Sequence, residues 1–261
     1  MAKSEYTYVR DFERPDNLLP STWLVVRIDG QGFSNFTKNH QFTKPNDIRA
    51  LHLMNRAAKM VMESMVEIVL AYGESDEYSF VFSKKAKAYD RRASKIATLL
   101  VSKFTAAYVF YWSEFFADTP LKELPAFDGR VVEYPSDRIM RDYLCWRQVD
   151  CHINNMYNTC FWLLVNQGGM SQQDAEKRLK GTFAKDKHEL LFSEFGVNYN
   201  NEPEIFKKGS VLLRSLVPID MTDKDGNSIV REKKVVQIEH CDIIRDRFWR
   251  EHPGILGETS Q

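Results

Sequence analysis

Residues 67–82 read EIVLAYGESDEYSFVF. Two strand-like runs, 67–72 and 77–82, are separated only by Gly73-Glu74-Ser75-Asp76, the pattern of a β-hairpin. Upstream, residues 23–28 (WLVVRI) form a short apolar run between Pro20 and Gly30, which suits a buried strand. Between these strands, Ile48, Leu51, Met54, Ala58, Val61 and Met65 recur at helical spacing, while Arg49, Arg56, Lys59 and Glu63 fall elsewhere. That is an amphipathic helix entered at Pro45-Asn46-Asp47. Downstream, a helix is predicted over 91–112, with Ile96, Leu99, Phe104 and Tyr108 on its turns. Asp128-Gly129 then leads into a strand over 130–134.

The order β-α-β-β-α-β predicts an α+β fold of the split βαβ, ferredoxin-like kind, the topology of a polymerase-like palm. The second half reads as largely helical. Helices are predicted from a Ser136 cap to 149, over 152–164, from a Ser171 cap to about 181, and over 185–195. Strands follow over 211–218 and 235–239, with a turn at 223–227 and a loose tail over 254–261. The expected division is a palm catalytic domain over 1–135 and an RNA-binding and oligomerisation region over 136–261, packed as one unit.

Lys and Arg total 36, as do Asp and Glu, so the chain is neutral overall. A blanket polycation for nucleic acid is excluded, and RNA binding must use local basic patches. Cys145, Cys151, Cys160 and Cys241 form no C-x-x-C pair and read as thiols rather than a zinc site. The N-terminus has no apolar signal segment, and no apolar run is long enough to span a bilayer. A cytoplasmic location, or a nuclear one, is expected.

Asp29 ends the first strand; Asp76 and Glu77 sit at the hairpin. In a βαββαβ sheet the first and third strands are adjacent, so these carboxylates meet. Two carboxylates with substrate phosphates make a Mg²⁺ site, and two such ions assist phosphoryl transfer. The Gly30 carbonyl adds a further ligand. The glycines of Asp29-Gly30-Gln31-Gly32-Phe33-Ser34 expose backbone N–H groups to a triphosphate. Arg27 shares the strand parity of Asp29; Lys44 precedes the first predicted helix; Arg92 and Lys95 share a helix face. All four are candidates to neutralise phosphate charge.

RIDGQGF at 27–33, KPND at 44–47, YGESDEYSFVF at 72–82, HINNMYNT at 152–159 and VNYNNEPEIFKKGS at 197–210 stand in register. Together they resemble the tRNA-histidine guanylyltransferase family. The resemblance covers nearly the whole chain, apart from 222–232. It implies addition of one guanosine to the 5′ end of tRNA-His, in the 3′-to-5′ direction. ATP activates the RNA 5′-phosphate, the GTP 3′-hydroxyl attacks, and pyrophosphate is then removed. It further implies Asp29, Gly30 and Asp76 as ligands of two Mg²⁺ ions, with Glu77 supporting them. Arg27, the loop from Asp29 to Ser34, Lys44, Asp47, Ser75, Asp76, Arg92 and Lys95 are its nucleotide contacts. Gln31 stands where the family commonly has a basic residue, and Ser34 where it commonly has histidine.

For tRNA, the resemblance points to His152, Asn154, Asn155, Lys187, Lys207 and Lys208. One chain of this size, with a radius of gyration of about 18 Å, cannot reach from the tRNA 5′ end to the anticodon. A homo-oligomer is therefore expected, and the resemblance implies a homotetramer. Two alternatives use the same topology: a palm-type nucleotide cyclase, and a non-catalytic tRNA-binding protein. The helical second half argues against the first, and the intact carboxylates argue against the second.

Overall fold

The structure, a computed structural model, describes residues 4–222 and 228–257. After a 3-10 segment at Glu5–Phe12 come β1 (Trp23–Gly30), α1 (Phe33–Asn39), α2 (Ile48–Ser64), β2 (Ile68–Glu74) and β3 (Glu77–Phe82). Then follow α3 (Ala93–Phe115), β4 (Phe127–Tyr134), α4 (Asp137–Asn166), α5 (Gln172–Leu179), α6 (Ala184–Phe195) and α7 (Glu204–Lys208). The chain closes with β5 (Ser210–Thr222), β6 (Ser228–Glu239) and α8 (Asp246–Glu251).

The fold is α+β. One six-stranded sheet runs β4-β1-β3-β2-β5-β6, with every neighbour antiparallel. Strand alternation sends odd and even residues of β1 to opposite faces. Leu24, Val26 and Ile28 pack with Leu53, Val61, Ile96 and Phe104 of α2 and α3. Trp23 and Val25 pack on the other face with Met140, Leu144, Phe248 and Trp249 of α4 and α8. A third cluster joins the end of α4 to α5 and α6 through Met156, Cys160, Leu164, Leu179 and Leu191. Among the described residues, no helix is long and apolar enough to cross a membrane.

Several elements differ from the sequence expectation. The helices expected over 136–149 and 152–164 are one helix of 30 residues. Arg147, Gln148 and Asn155 lie on its buried stripe, so the apolar period lapses although the helix continues. No proline or glycine interrupts it. Ser136 and Ser171 cap α4 and α5 as expected, accepting from the N–H groups of Ile139 and Asp174. Helix α1 has no counterpart in the sequence expectation, because only Phe33 and Phe36 of its seven residues are buried. Strands β5 and β6 are longer than expected, and the expected turn at 223–227 lies outside the described residues. Within the expected tail, a 3-10 turn at Pro253–Ile255 buries Ile255 against the α8 cluster, and 258–261 lie outside the described residues.

Gln148 ties α4 to the sheet. Its amide nitrogen donates to the carbonyls of Lys208 and Cys241, and its oxygen accepts from the Ile243 N–H, each at 2.9 Å. Gln148→Ala leaves three backbone groups without this partner. An orphaned buried group costs about 1–3 kcal/mol, so a total loss of about 3 kcal/mol is expected. A chemical-denaturation midpoint that does not move would disprove that role.

Candidate active site

Asp29 lies opposite Glu77 of β3 and Asp128 of β4 in the strand register. The four-residue turn Glu74–Glu77 brings Asp76 to the same end of the sheet. The Gly30 N–H donates to the Asp76 carbonyl at 3.1 Å. A Cβ built on Gly30 would lie 2.8 Å from Asp76 Oδ2, so only glycine lets the backbone come this close to the carboxylate. Ser75, at φ +48°, donates its hydroxyl to Asp76 Oδ1 at 3.0 Å. Burial pushes the Asp76 carboxyl up, and the charge of Asp29 adds to this; the Ser75 hydroxyl and Lys44 pull the other way. The strand register and the Gly30–Asp76 backbone bond thus bring both expected carboxylates to one end of the sheet.

On the α4 face, to which the strand parity of Asp29 also points, is an ionic cluster that periodicity does not reveal. Arg147 Nη1 donates to both carboxylate oxygens of Glu77 at 3.2 Å and lies 3.8 Å from Glu74 Oε1. Its Nη2 is 3.3 Å from Asp150 Oδ2, and the guanidinium stacks 3.5 Å from the Trp146 ring centre. Arg27 Nε lies 3.8 Å from Glu77 Oε2. Burial raises the Glu77 carboxyl, while Arg147 and Arg27 lower it. Glu77 is thus engaged with arginines on the α4 face. Arg27 faces the same cluster, its buried Nε without a hydrogen-bond partner among the described residues.

The phosphate candidates divide. Lys44 is near enough to lower Asp76, with Nζ 3.4 Å from Thr37 Oγ1 and 5.8 Å from the Trp162 ring centre. Gln31, Gly32 and Ser34 are exposed at the same end. Phe33 contributes only backbone, because its ring is buried against Phe36 and Phe127 at 4.8 and 4.9 Å. Asp47 caps α2, accepting from the N–H groups of Thr43 and Arg49 and from the Arg49 guanidinium. Burial opposes its charge, yet these bonds hold it below the usual carboxylate range. Both oxygens are engaged within the chain, so Asp47 has a capping role here.

Arg92 and Lys95 are not brought to this site within the chain. Arg92 caps α3 beside Asp16, at 3.4 Å, and Lys95 lies over Tyr89 at 5.6 Å. The adjacent Arg91 bonds the Thr22 carbonyl, which precedes β1. Asp29 stands at the other end of that strand, roughly 20 Å away at about 3.3 Å per residue. The shared face of Arg92 and Lys95 is real, but α3 begins at the wrong end of the sheet.

The RNA candidates are also sorted by their partners. His152 and Asn154 are exposed, and His152 packs edge-on against Tyr199 at 5.6 Å. Burial lowers the His152 imidazole, with His188 and Lys207 adding to the effect. Asn155 is buried; it accepts from Asn46 at 2.8 Å and donates to the Tyr199 hydroxyl at 2.9 Å. It braces the loop that carries Lys44 instead of facing solvent. Lys187 donates to the carbonyl and hydroxyl of Thr182, at 2.9 and 2.8 Å. Lys207 and Lys208 both pair with Glu204, at 2.8 and 2.6 Å. These three lysines, expected as tRNA contacts, already have acceptors within the chain.

Tyr108 of α3 is a further neighbour of the site that sequence reasoning misses. It is buried beside Phe33 and Phe127, and its hydroxyl is raised first by burial and then by Asp76 and Asp47. Its only sequence signal is a place on the apolar stripe of a helix.

Comparison with known proteins places the chain among relatives of one family. A family profile described as tRNAHis guanylyltransferase matches residues 6–135, and one described as Thg1 C terminal domain matches residues 138–245. The tRNA(His) guanylyltransferase of Schizosaccharomyces pombe is 54% identical over 255 residues, covering 97% of each chain. The crystal structure of tRNA(His) guanylyltransferase from Saccharomyces cerevisiae superposes with a TM-score of 0.77 at 48% identity, over 87% of this chain and 96% of that one. A bacterial tRNA(His) guanylyltransferase-like protein solved with ATP shares the fold, with a TM-score of 0.72 at 22% identity over 96% of both chains. With full-length identity above half and carboxylates gathered at one end of a shared sheet, the chain belongs to the tRNA(His) guanylyltransferase family.

Proposed function

We propose that this chain adds a single guanosine to the 5′ end of tRNA-His, using ATP and GTP, at a palm-like site built on Asp29 and Asp76. The observation that carries this reading is the meeting of those carboxylates across β1 and the β2–β3 turn, in a chain 54% identical to a protein of that name. The strand order β4-β1-β3-β2 supports the palm-like reading. Residues 1–135 form the catalytic part, and 136–261 the part that binds RNA and assembles subunits.

The donor set suits a hard cation. Among the described residues no cage of three or more His, Cys, Asp and Glu side chains exists. Mg²⁺ does not require one, since it is commonly held by one or two carboxylates plus substrate phosphates. Asp29, Asp76 and the Gly30 carbonyl would hold two such ions. Burial and the charge of Asp29 both raise Asp76, and a cation relieves the strain of keeping it ionised there. Bound there, Mg²⁺ supplies charge neutralisation and acidifies an attacking hydroxyl.

The chain's own groups orient the reactants. Lys44 neutralises triphosphate charge, and the backbone of 31–34 with Ser75 cradles phosphate oxygens. In the first transfer, an oxygen of the RNA 5′-phosphate bonds to the ATP α-phosphorus and pyrophosphate leaves. In the second, the GTP 3′-oxygen bonds to the RNA phosphorus, its proton is lost, and AMP leaves. Hydrolysis then removes pyrophosphate from the new end. Such in-line steps depend mainly on positioning and charge. The exposed His152 and Asn154 are the helix groups available to bases of the tRNA.

The test is incubation with 5′-labelled tRNA-His, ATP, labelled GTP and Mg²⁺. A product one nucleotide longer at its 5′ end is expected. Cyclic nucleotide formed without RNA, or tight RNA binding without turnover, would replace this reading with one of the alternatives. A homo-oligomer is part of the proposal, because one chain cannot span from acceptor end to anticodon, and the family resemblance points to a tetramer. Light scattering that finds a fully active monomer removes that part.

A further inference from the structure

The turn that carries Asp76 is gripped from behind by one side chain of the second half. Glu74 and Glu77 are partners in the β2–β3 register and flank Ser75-Asp76. Both point to the α4 face, where their side chains are 8% and 13% exposed. Arg147 lies between them at 6% exposure, donating to both oxygens of Glu77 at 3.2 Å and standing 3.8 Å from Glu74. It is itself fixed by Asp150 at 3.3 Å and by the Trp146 ring. Asp76 faces the opposite way, against Gly30.

We infer that Arg147 is a positioning residue for Asp76: by clamping both ends of the turn, it sets how the carboxylate is presented to the metal and the reacting phosphates. The inference rests on the metal reading proposed above. Without the guanidinium, two acidic side chains would share a buried space at paired positions, and like charges there are destabilising. The turn would relax away from β1, and Asp76 would move with it. Direct outer partners of metal ligands are typically worth 10–100-fold in metal affinity or activity, and a clamp on both residues flanking Asp76 is expected to act on that scale. Arg147 lies about one and a half helical turns before His152 on the same helix, so the second half of the chain reaches into the catalytic turn here.

The test uses the full chain with Arg147→Met, which keeps the stem and removes the charge, and Arg147→Lys, which keeps the charge without the planar fork. Mn²⁺ binding, read from the electron paramagnetic resonance of free Mn²⁺, is measured beside steady-state kinetics and tRNA binding. Arg147→Met should weaken Mn²⁺ binding roughly 10–100-fold and lower kcat by a similar factor. The KM for GTP and the Kd for tRNA should stay within about threefold, since the arginine touches neither. Arg147→Lys should fall between the parent and Arg147→Met. If Arg147→Met does not fold, Arg147→Lys decides. Mn²⁺ affinity and kcat within twofold of the parent in either folded variant would overturn the inference. So would a change confined to tRNA binding. Asp76→Ala is the reference: parent-like Mn²⁺ affinity there would remove the metal reading itself, and this inference with it.

Discussion

Asp76→Ala is expected to lower guanylate addition roughly a thousandfold or more while the protein stays folded, and Asp29→Ala to do the same. The size follows from what is removed. A single preorganised group at a developing charge is worth about 10²–10³ in rate, and a carboxylate that also holds a metal contributes at least as much. The stability side follows from burial. Asp76 is an acid held in a desolvated place beside Asp29, and burial with that neighbouring charge raises it. Removing either carboxylate relieves repulsion, so the thermal midpoint should be unchanged or slightly higher. That separates these variants from mutations that merely unfold the chain. Single-turnover transfer of labelled GTP to tRNA-His, beside a thermal melt, decides it. Activity within tenfold of the parent in either folded variant would rule out the carboxylate pair as the centre of the chemistry.

The pair is legible in the sequence because its signals are local. A strand ending in Asp-Gly and a hairpin bearing Ser-Asp-Glu are both punctuated by glycine, and strand order places them side by side. The phosphate side is only partly legible. Spacing puts Arg92 and Lys95 on one helix face, but it cannot say at which end of the sheet that face begins. The tie from Arg91 to the Thr22 carbonyl decides it, and that is a contact between residues distant in sequence. Arg147 is invisible for a related reason. A charge on the buried stripe of a helix reads as a break in periodicity, and so as the end of one helix. Its partners Glu74 and Glu77 come from strands some seventy residues away. The lysines read as RNA contacts illustrate the converse. Lys207 and Lys208 look free in a KKGS string, but Glu204 lies one helical turn earlier and takes both. In this chain, motifs mark where backbone and carboxylates act, while free and spent charges are told apart only by the fold.

Gly30→Ala should be nearly as damaging as loss of a carboxylate, for a different reason. A Cβ at this position would meet Phe33 ring atoms at 2.4 and 2.6 Å and Asp76 Oδ2 at 2.8 Å. Real Cβ contacts are not that short, so something must move. The Phe33 ring cannot easily yield, because it is wedged among Phe36, Tyr108 and Phe127. The other movable group is the Asp76 carboxylate. Overpacking of this kind costs about 1–3 kcal/mol, and a misplacement of about 1 Å in a reacting group lowers a rate about 10²-fold. Both effects are expected together: a lower unfolding midpoint and at least a hundredfold loss of guanylate addition. Gly32→Ala is the contrast that isolates the cause. Gly32 has φ +69°, but a Cβ there would have no neighbour within 4 Å. Its change should therefore cost about 1–2 kcal/mol of backbone strain without displacing Asp76. If Gly32→Ala keeps parent-like Mn²⁺ affinity and acts on the KM for GTP, while Gly30→Ala loses Mn²⁺ affinity and kcat together, contact with the carboxylate is what Gly30 protects. Parent-like activity in Gly30→Ala would mean that Asp76 does not need the close backbone approach seen here, and that its presentation is set by the Arg147 side of the turn alone.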